Sequence, residues 1–134
     1  MKKKKILILA NDFPPYVSVG AMRPYGWAKY LPKDKWEVTV VTRHWDEGIQ
    51  TAIDCVKSSS KQVSEITSEE GYTVVRVPYK ANIRDRLIIK YGLNKFVLIR
   101  KAFSFIIDFF KHDFFIFDST KEIFFEADKL LTKE

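Results

Sequence analysis

The first 80 residues contain three short apolar runs, each closed by polar residues or proline. Lys5–Ala10 is largely apolar and is stopped by Asn11 and Asp12, which is typical of a strand buried on both faces of a parallel sheet. Trp36–Thr42 and Tyr72–Val77 are rich in β-branched residues, which favour strands. The pattern therefore predicts three strands.

Apolar residues at helical spacing predict three helices between and after these strands. Ala21–Leu31 follows a loop with two prolines and a glycine, and Pro32 ends it, because proline cannot continue a helix. Arg84–Tyr91 predicts a short helix that Gly92 ends, and Asn94–Phe110 predicts a longer one capped by its first residue.

The remaining segments give weaker signals. The sequence Ser119–Glu122 has the form of a capping box and predicts a last helix, whose expected buried face is Ile123, Ala127, Leu130 and Leu131. Asp113–Asp118 is ambiguous between strand and loop. Thr42–Gly71 is a polar excursion in which we expect a short helix around Gln50–Val56, because so long a bare loop is unusual in a compact domain.

This order of elements predicts an α/β, Rossmann-like fold, in which a doubly wound parallel sheet has the strand order 3-2-1. Tyr72–Val77 is the third strand in that numbering. A doubly wound sheet also needs a fourth strand beside the first, and none is predicted before Glu134. We therefore expect residues 1–134 to be one incomplete domain.

Composition and charge limit the kinds of molecule and metal that this chain is expected to bind. The chain has 134 residues with 23 basic and 17 acidic side chains, but Lys2–Lys5 supply four of the positive charges. The remaining excess is small, so no basic face for nucleic acid is expected. One cysteine, Cys55, suits a reducing compartment, and two histidines with one cysteine give no zinc pattern.

The apolar run at the N-terminus is too short to be a targeting segment. Ile6–Ala10 has five residues, fewer than the roughly 7–15 of a signal peptide, and no stretch approaches the about 18 of a membrane span. We expect a cytoplasmic protein. Phenylalanines concentrate late in the chain beside Arg100 and Lys101, which predicts either a helical core or a peripheral contact with the inner face of the membrane.

The loop after the first strand carries the first set of candidate ligand residues. In parallel sheets, ligands bind at the carboxyl ends of the strands, and this loop leads into the N-terminus of a helix, where free amides favour anions. Ser18 offers a hydroxyl, Gly20 an accessible backbone and Arg23 a positive charge. The alternative is a solvated helix end in which Gly20 only serves a tight turn.

The loops after the second and third strands reach the same edge. A tryptophan there can stack on a sugar and an arginine can bind a phosphate, or both can simply anchor their loops. With one residue of the first loop, the candidate acceptor-binding residues are Tyr16, Arg43, Trp45, Tyr79, Lys80 and Asn82.

Four segments carry a resemblance to a known family. Lys5–Pro15 reads Lys-Ile-Leu-Ile-Leu-Ala-Asn-Asp-Phe-Pro-Pro, and Gly20–Arg23, Trp27–Leu31 and Trp36–Thr42 follow it. Together they resemble the opening of glycosyltransferase family 4, with its Phe-Pro-Pro loop, small glycine loop, helix arginine and Glu-Val-Thr-Val-Val-Thr strand. Val19 stands where the family often has a second glycine.

The resemblance implies the N-terminal, acceptor-side domain of an enzyme of GT-B architecture. Such enzymes transfer a sugar, with retention of configuration, from a nucleotide-sugar donor to a glycan or lipid-linked acceptor, and surface polysaccharide synthesis is the expected process. Ser18 and Gly20 match the loop near the donor diphosphate and Arg23 matches the helix arginine. The family usually needs no metal ion, and we expect no cofactor.

In this family a second, C-terminal domain holds most of the donor site, and these 134 residues do not include it. We therefore expect this chain alone to lack transferase activity. We also expect it to self-associate, either by pairing the open side of its first strand or by burying its phenylalanine-rich helices. The catalytic residues are not identified. The alternatives are a non-catalytic Rossmann-like binding module and a scaffold on the membrane surface.

Overall fold

A four-stranded mixed β-sheet with helices on both faces forms the centre of the computed structural model, which describes residues 3–114 and 121–132. A 3₁₀ turn spans Asp54–Val56. The strands are β1 (Lys4–Ala10), β2 (Trp36–Arg43), β3 (Glu65–Glu69) and β4 (Tyr72–Val77). The helices are α1 (Val19–Tyr30), α2 (Ile83–Tyr91), α3 (Val97–Phe114) and α4 (Lys121–Thr132).

The strand order is β1-β2-β4-β3. β1 pairs in parallel with β2, and β2 pairs in parallel with β4, so that Ile8 lies beside Val40 and Val40 beside Val74. These three strands are the three predicted apolar runs. The predicted α/β class and the parallel pairing of these three strands are confirmed. The prediction of a wholly parallel sheet of order 3-2-1 was wrong, because the sheet is mixed and its order includes a fourth strand.

That fourth strand, β3, pairs antiparallel with β4 at the edge of the sheet. It lies within the segment expected to be a polar excursion, and its sequence Glu-Ile-Thr-Ser-Glu has one large apolar residue, Ile66, which is itself exposed. An edge strand with little burial carries no apolar run, so hydrophobic patterning does not reveal it. A short helix around Gln50–Val56 was also expected, and only the 3₁₀ turn is present there.

The two faces of the sheet are covered by different helices. On one face Ile8, Val38 and Val40 pack with Phe13 and with Ala28 of α1. On the other face Val41, Val75 and Val77 pack against α4. Successive residues of a strand point to opposite faces, so the central strand β2 is buried on both. The first strand was expected to be buried on both faces, and that prediction was wrong: only Ile8 of β1 is buried and Leu9 is 43% exposed, because β1 lies at one end of the strand order.

Helix ends agree with the predictions only in part. The C-terminus of α2 lies at Gly92, as predicted, with φ of 79°. α3 begins at Val97 rather than at the predicted cap Asn94, because Phe96 has a φ of 55°, which is incompatible with a right-handed helix. On α4, Ile123 and Ala127 are buried and Leu130 packs beside them, whereas Leu131 is exposed.

Two predictions reach partly beyond the described residues: the capping box Ser119–Glu122 and the ambiguous segment Asp113–Asp118. Within the described ranges no helix has both the length and the apolar character needed to cross a bilayer.

Candidate functional site

The loops after β1, β2 and β4 meet at one edge of the sheet and are joined by direct hydrogen bonds. Trp45 Nε1 donates to the carbonyl oxygen of Asn11 at 2.8 Å, and the Thr42 hydroxyl donates to the same oxygen at 3.3 Å. The backbone amide of His44 donates to the carbonyl oxygen of Val77 at 2.7 Å. The predicted candidate residues are therefore assembled by three loops on one edge.

The first turn of α1 holds the candidate diphosphate residues. Ser18 is the N-cap, and its hydroxyl oxygen accepts a hydrogen bond from the amide of Ala21 at 3.0 Å. The same hydroxyl donates to Asp12 Oδ2 at 3.0 Å. Gly20 is exposed, as is Arg23 on the next turn.

Asp12 was not among the predicted site residues, although it shapes this turn. A Cβ at position 20 would lie only 3.2 Å from Asp12 Oδ2, which gives Gly20 a packing reason within the chain itself. A carboxylate near a helix N-terminus is favourable, because that end carries partial positive charge. The protein thus already supplies one anion where the sequence predicts that a ligand phosphate binds.

Four of the six candidate acceptor-binding residues form a continuous column, which we call the aromatic–arginine stack. The rings of Tyr16 and Trp45 are stacked with centroids 4.2 Å apart. The guanidinium carbon of Arg43 lies 3.9 Å from the Trp45 ring centroid and 3.7 Å from that of Tyr79. Such contacts between a guanidinium and ring faces are attractive, most of all when they are shielded from water.

The aromatic–arginine stack is largely closed to solvent. Trp45 is 5% exposed, Tyr79 7% and Arg43 9%. A sugar therefore finds no open face on Trp45 in this arrangement, and the ring instead anchors the loop that follows β2. This is the alternative that the sequence left open for these residues.

Arg43 is a buried cation at the centre of the stack. Its Nη2 donates to the carbonyl oxygen of Lys57 at 3.0 Å, while its Nε has no hydrogen-bond partner within the described residues. Burial lowers the pKa of the Arg43 guanidinium, and the neighbouring Tyr79 opposes that shift. Ring faces rather than a directly bonded carboxylate surround the charge.

Tyr79 links the stack to a buried carboxylate that the sequence did not single out. Its hydroxyl donates to Asp85 Oδ2, and Arg84 Nη2 lies 3.1 Å from Asp85 Oδ1. Burial and the hydrogen bond to Asp85 raise the pKa of Tyr79. Asp85 is fully buried at the start of α2, where its amide donates to Oδ1 of the N-cap residue Asn82 at 2.9 Å.

The remaining two candidate acceptor-binding residues, Lys80 and Asn82, lie outside the aromatic–arginine stack. Asn82 is a helix cap, and Lys80 is exposed beside the closed stack. An acidic residue in the first turn after an N-cap asparagine is common in helices. The sequence Asn82–Asp85 therefore indicates the start of a helix and does not reveal that Asp85 is buried.

Ser59 is a second residue that sequence reasoning missed. Its hydroxyl donates to the carbonyl oxygen of His44 at 2.8 Å and accepts from the amide of Tyr79 at 3.0 Å. Its own amide donates to the carbonyl oxygen of Tyr79 at 2.9 Å. Ser59 therefore ties the loop after β2 to the loop after β4, and its position within Ser58-Ser59-Ser60 does not distinguish it from two exposed serines.

A cavity of about 280 Å³ lies beside the stack. It has both acidic and basic walls, and its Asp54 and Lys57 side chains are paired at 2.7 Å. Hydrogen bonds from Lys57 and Thr51 lower the pKa of Asp54. A mixed wall of this kind suits a neutral, hydroxyl-rich ligand better than a strongly charged one. The lining includes Arg43, His44, Asp46, Asp54, Lys57 and Ser59.

Within residues 3–114 and 121–132, no group of three His, Cys, Asp or Glu side chains has an arrangement that could hold a metal ion. No family model matches the chain, and neither a curated protein nor a solved structure matches it. The resemblance to glycosyltransferase family 4 therefore depends on the quoted residues alone.

Proposed function

We propose that this chain is the acceptor-side, Rossmann-like part of a retaining glycosyltransferase of GT-B architecture. The transferred sugar comes from a nucleotide-sugar donor and goes to a glycan or lipid-linked acceptor in surface polysaccharide synthesis. One observation carries the proposal: three loops predicted to face ligand lie together at the carboxyl ends of β1, β2 and β4. Helices on both faces of the sheet also suit a doubly wound fold.

In this function the first turn of α1 faces the donor diphosphate. Gly20 leaves the backbone of that turn accessible, and the exposed Arg23 supplies a positive charge. The Asp12 carboxylate opposes a close phosphate because two negative charges repel each other. The donor is therefore held weakly by this side alone and needs further contacts elsewhere.

The aromatic–arginine stack has a positioning role in the proposed function. It fixes the loops after β2 and β4, so that exposed Lys80 and the neighbouring cavity have constant positions. An acceptor sugar then meets hydroxyl, carboxylate and amine groups rather than an open tryptophan face.

Removing the Asp12 charge tests the donor side of the proposal. Asp12→Asn keeps an oxygen that accepts from Ser18 but removes a negative charge beside the first turn of α1. We expect the affinity for uridine diphosphate-glucose or guanosine diphosphate-mannose to rise about fivefold, because one charge pair near 4 Å in water contributes about 1 kcal/mol. Isothermal titration of the 134-residue chain measures this change.

Asp34→Asn is the matched control, since Asp34 is an exposed carboxylate in the turn between α1 and β2. An unchanged affinity in Asp12→Asn, or equal changes in both variants, would contradict a phosphate site at α1.

We also expect no sugar transfer by the 134-residue chain alone. Saturable transfer from any nucleotide sugar would contradict the assignment of the donor pocket to another domain.

A further inference from the structure

One side of α3 is apolar and exposed along most of its described length. Leu98 and Phe105 are 82% and 73% exposed, and the ring of Phe105 stacks on that of Phe109 with centroids 6.5 Å apart. Residues at spacings of three and four lie on one side of a helix. We call this side the α3 apolar face; its members are Leu98, Ile99, Ala102, Phe105, Ile106 and Phe109.

The sheet does not cover this face. Within the described residues α3 packs chiefly against α2, and the ring of Phe96 before α3 contacts Tyr91 of α2 with centroids 4.9 Å apart. The opposite side of α3 carries Arg100, Ser104 and Asp108. α3 is therefore amphipathic, with its apolar side directed away from the protein core.

Exposed lysines lie near the α3 apolar face. Basic side chains outnumber acidic ones six to two between Ile83 and Phe109, although Arg84 is paired with buried Asp85 and Arg100 lies on the opposite side of α3. Lys95 is exposed just before α3, and Lys101 is exposed within the helix. The Lys90 ammonium lies 5.2 Å from the Tyr91 ring centroid. An apolar helix face flanked by lysines is the composition of helices that lie in a membrane interface.

We propose that the α3 apolar face docks on the surface of an anionic phospholipid membrane. The helix lies in the plane of the interface, with Leu98 and Phe105 among the acyl chains and Lys95 and Lys101 beside the lipid phosphates. Apolar burial supplies part of the affinity and the lysines supply the preference for anionic lipid. A second copy of the chain is a poorer occupant, because the same positive charges would then face one another.

This inference does not depend on the proposed glycosyl transfer. It rests on α2 and α3, whereas the proposed function rests on the loops after β1, β2 and β4. Loss of nucleotide-sugar binding with intact membrane binding, or the reverse, would separate the two.

Co-sedimentation with vesicles tests the proposal directly. We expect the 134-residue chain to bind vesicles of phosphatidylcholine mixed with phosphatidylglycerol, and to bind pure phosphatidylcholine much more weakly. Phe105→Glu and Leu98→Glu should each lower the partition coefficient more than about tenfold. Lys95→Ala and Lys101→Ala should each lower it about fivefold, and raised salt should do the same.

The controls change equally exposed residues outside α2 and α3. Val63→Glu places a charge on an exposed apolar position before β3, and Lys35→Ala removes an exposed lysine before β2. Both should bind vesicles as the unmodified chain does. Circular dichroism establishes that each variant is folded.

Three results would overturn the proposal. The first is equal binding to neutral and anionic vesicles. The second is unchanged binding by both folded glutamate variants, Phe105→Glu and Leu98→Glu. The third is a dimer that Phe105→Glu dissociates, with no binding of the unmodified chain to anionic vesicles.

Discussion

Tyr79 connects a buried cation to a buried anion at the ligand edge. Its ring covers the Arg43 guanidinium and its hydroxyl donates to Asp85. A buried charge is costly unless nearby groups compensate it. The side chain of Tyr79 compensates both charges at once, so its ring and its hydroxyl have separate effects on stability.

We expect Tyr79→Phe to lower the free energy of unfolding at pH 7 by about 1–3 kcal/mol, because buried Asp85 loses a donor while the ring contact with Arg43 is kept. The pKa of Tyr79 is raised in the folded protein. Its contribution is therefore complete below the unfolded pKa of about 10. Above that pH it is progressively lost, because the unfolded tyrosine ionises while the folded one stays protonated.

Urea unfolding at a series of alkaline pH values measures this dependence. The gap in stability between the unmodified chain and Tyr79→Phe should narrow as the pH rises above about 10. Tyr30→Phe removes an exposed hydroxyl on α1 and serves as the control. A gap that is constant with pH, or that widens, would contradict the account of Tyr79.

At the scale of elements, the hydrophobic pattern located what is buried and missed what is exposed. β2 and β4 were predictable because burial in a parallel sheet requires apolar runs. The apolar run of β1 also indicated a strand, although only Ile8 of that strand is buried. β3 was not, because it is held by backbone pairing with β4 and buries little. The start of α3 was also missed, since nothing in the sequence around Phe96 signals its positive φ.

The β3–β4 hairpin depends on Gly71, which has a φ of 89° in the two-residue turn between the strands. A Cβ at this position would also overlap the Lys33 side chain. We expect Gly71→Ala to lower the free energy of unfolding by about 1–2 kcal/mol, because L-residues are strained in this region.

Gly26→Ala is the matched control for this prediction. Gly26 lies within α1 with no atom close to the place of a Cβ, so the substitution should raise the free energy of unfolding by about 0.5–1 kcal/mol. Thermal unfolding of both variants measures the two effects. Changes of the same sign would contradict this account of the two glycines.

At the scale of the whole molecule, the sequence predicted that three loops meet at one edge of the sheet. It did not predict how the side chains between those loops pack. The carboxyl ends of parallel neighbouring strands share an edge, which brings Tyr16, Trp45 and Tyr79 together. The sequence does not reveal that Arg43 fills the space between two rings, or that Ser59 joins two loops, because these contacts depend on tertiary packing.

The open side of β1 gives a prediction for the molecule in solution. β1 lies at one end of the strand order, and no described strand pairs with its other side. Unpaired strand edges favour association with another chain. We expect the 134-residue chain to self-associate at micromolar concentration. Light scattering should find that the mass of the associated chain is unchanged by high salt and by Phe105→Glu, because the contact is at β1 and not at α3.

Amide hydrogen exchange locates that contact. The amides of β1 should be protected in the associated state. A monomer at the same concentration with protected β1 amides would show that the chain covers its own edge.

The most direct test of the central claim is a map of backbone amide shifts during titration with uridine diphosphate-glucose. If the carboxyl-end edge of the sheet is the ligand face, shifts should be concentrated at Ser18–Ala21, with smaller ones in the loops after β2 and β4. The amides of α3 and α4 should not move. Shifts confined to those helices, or no shifts at all, would contradict the proposed ligand face.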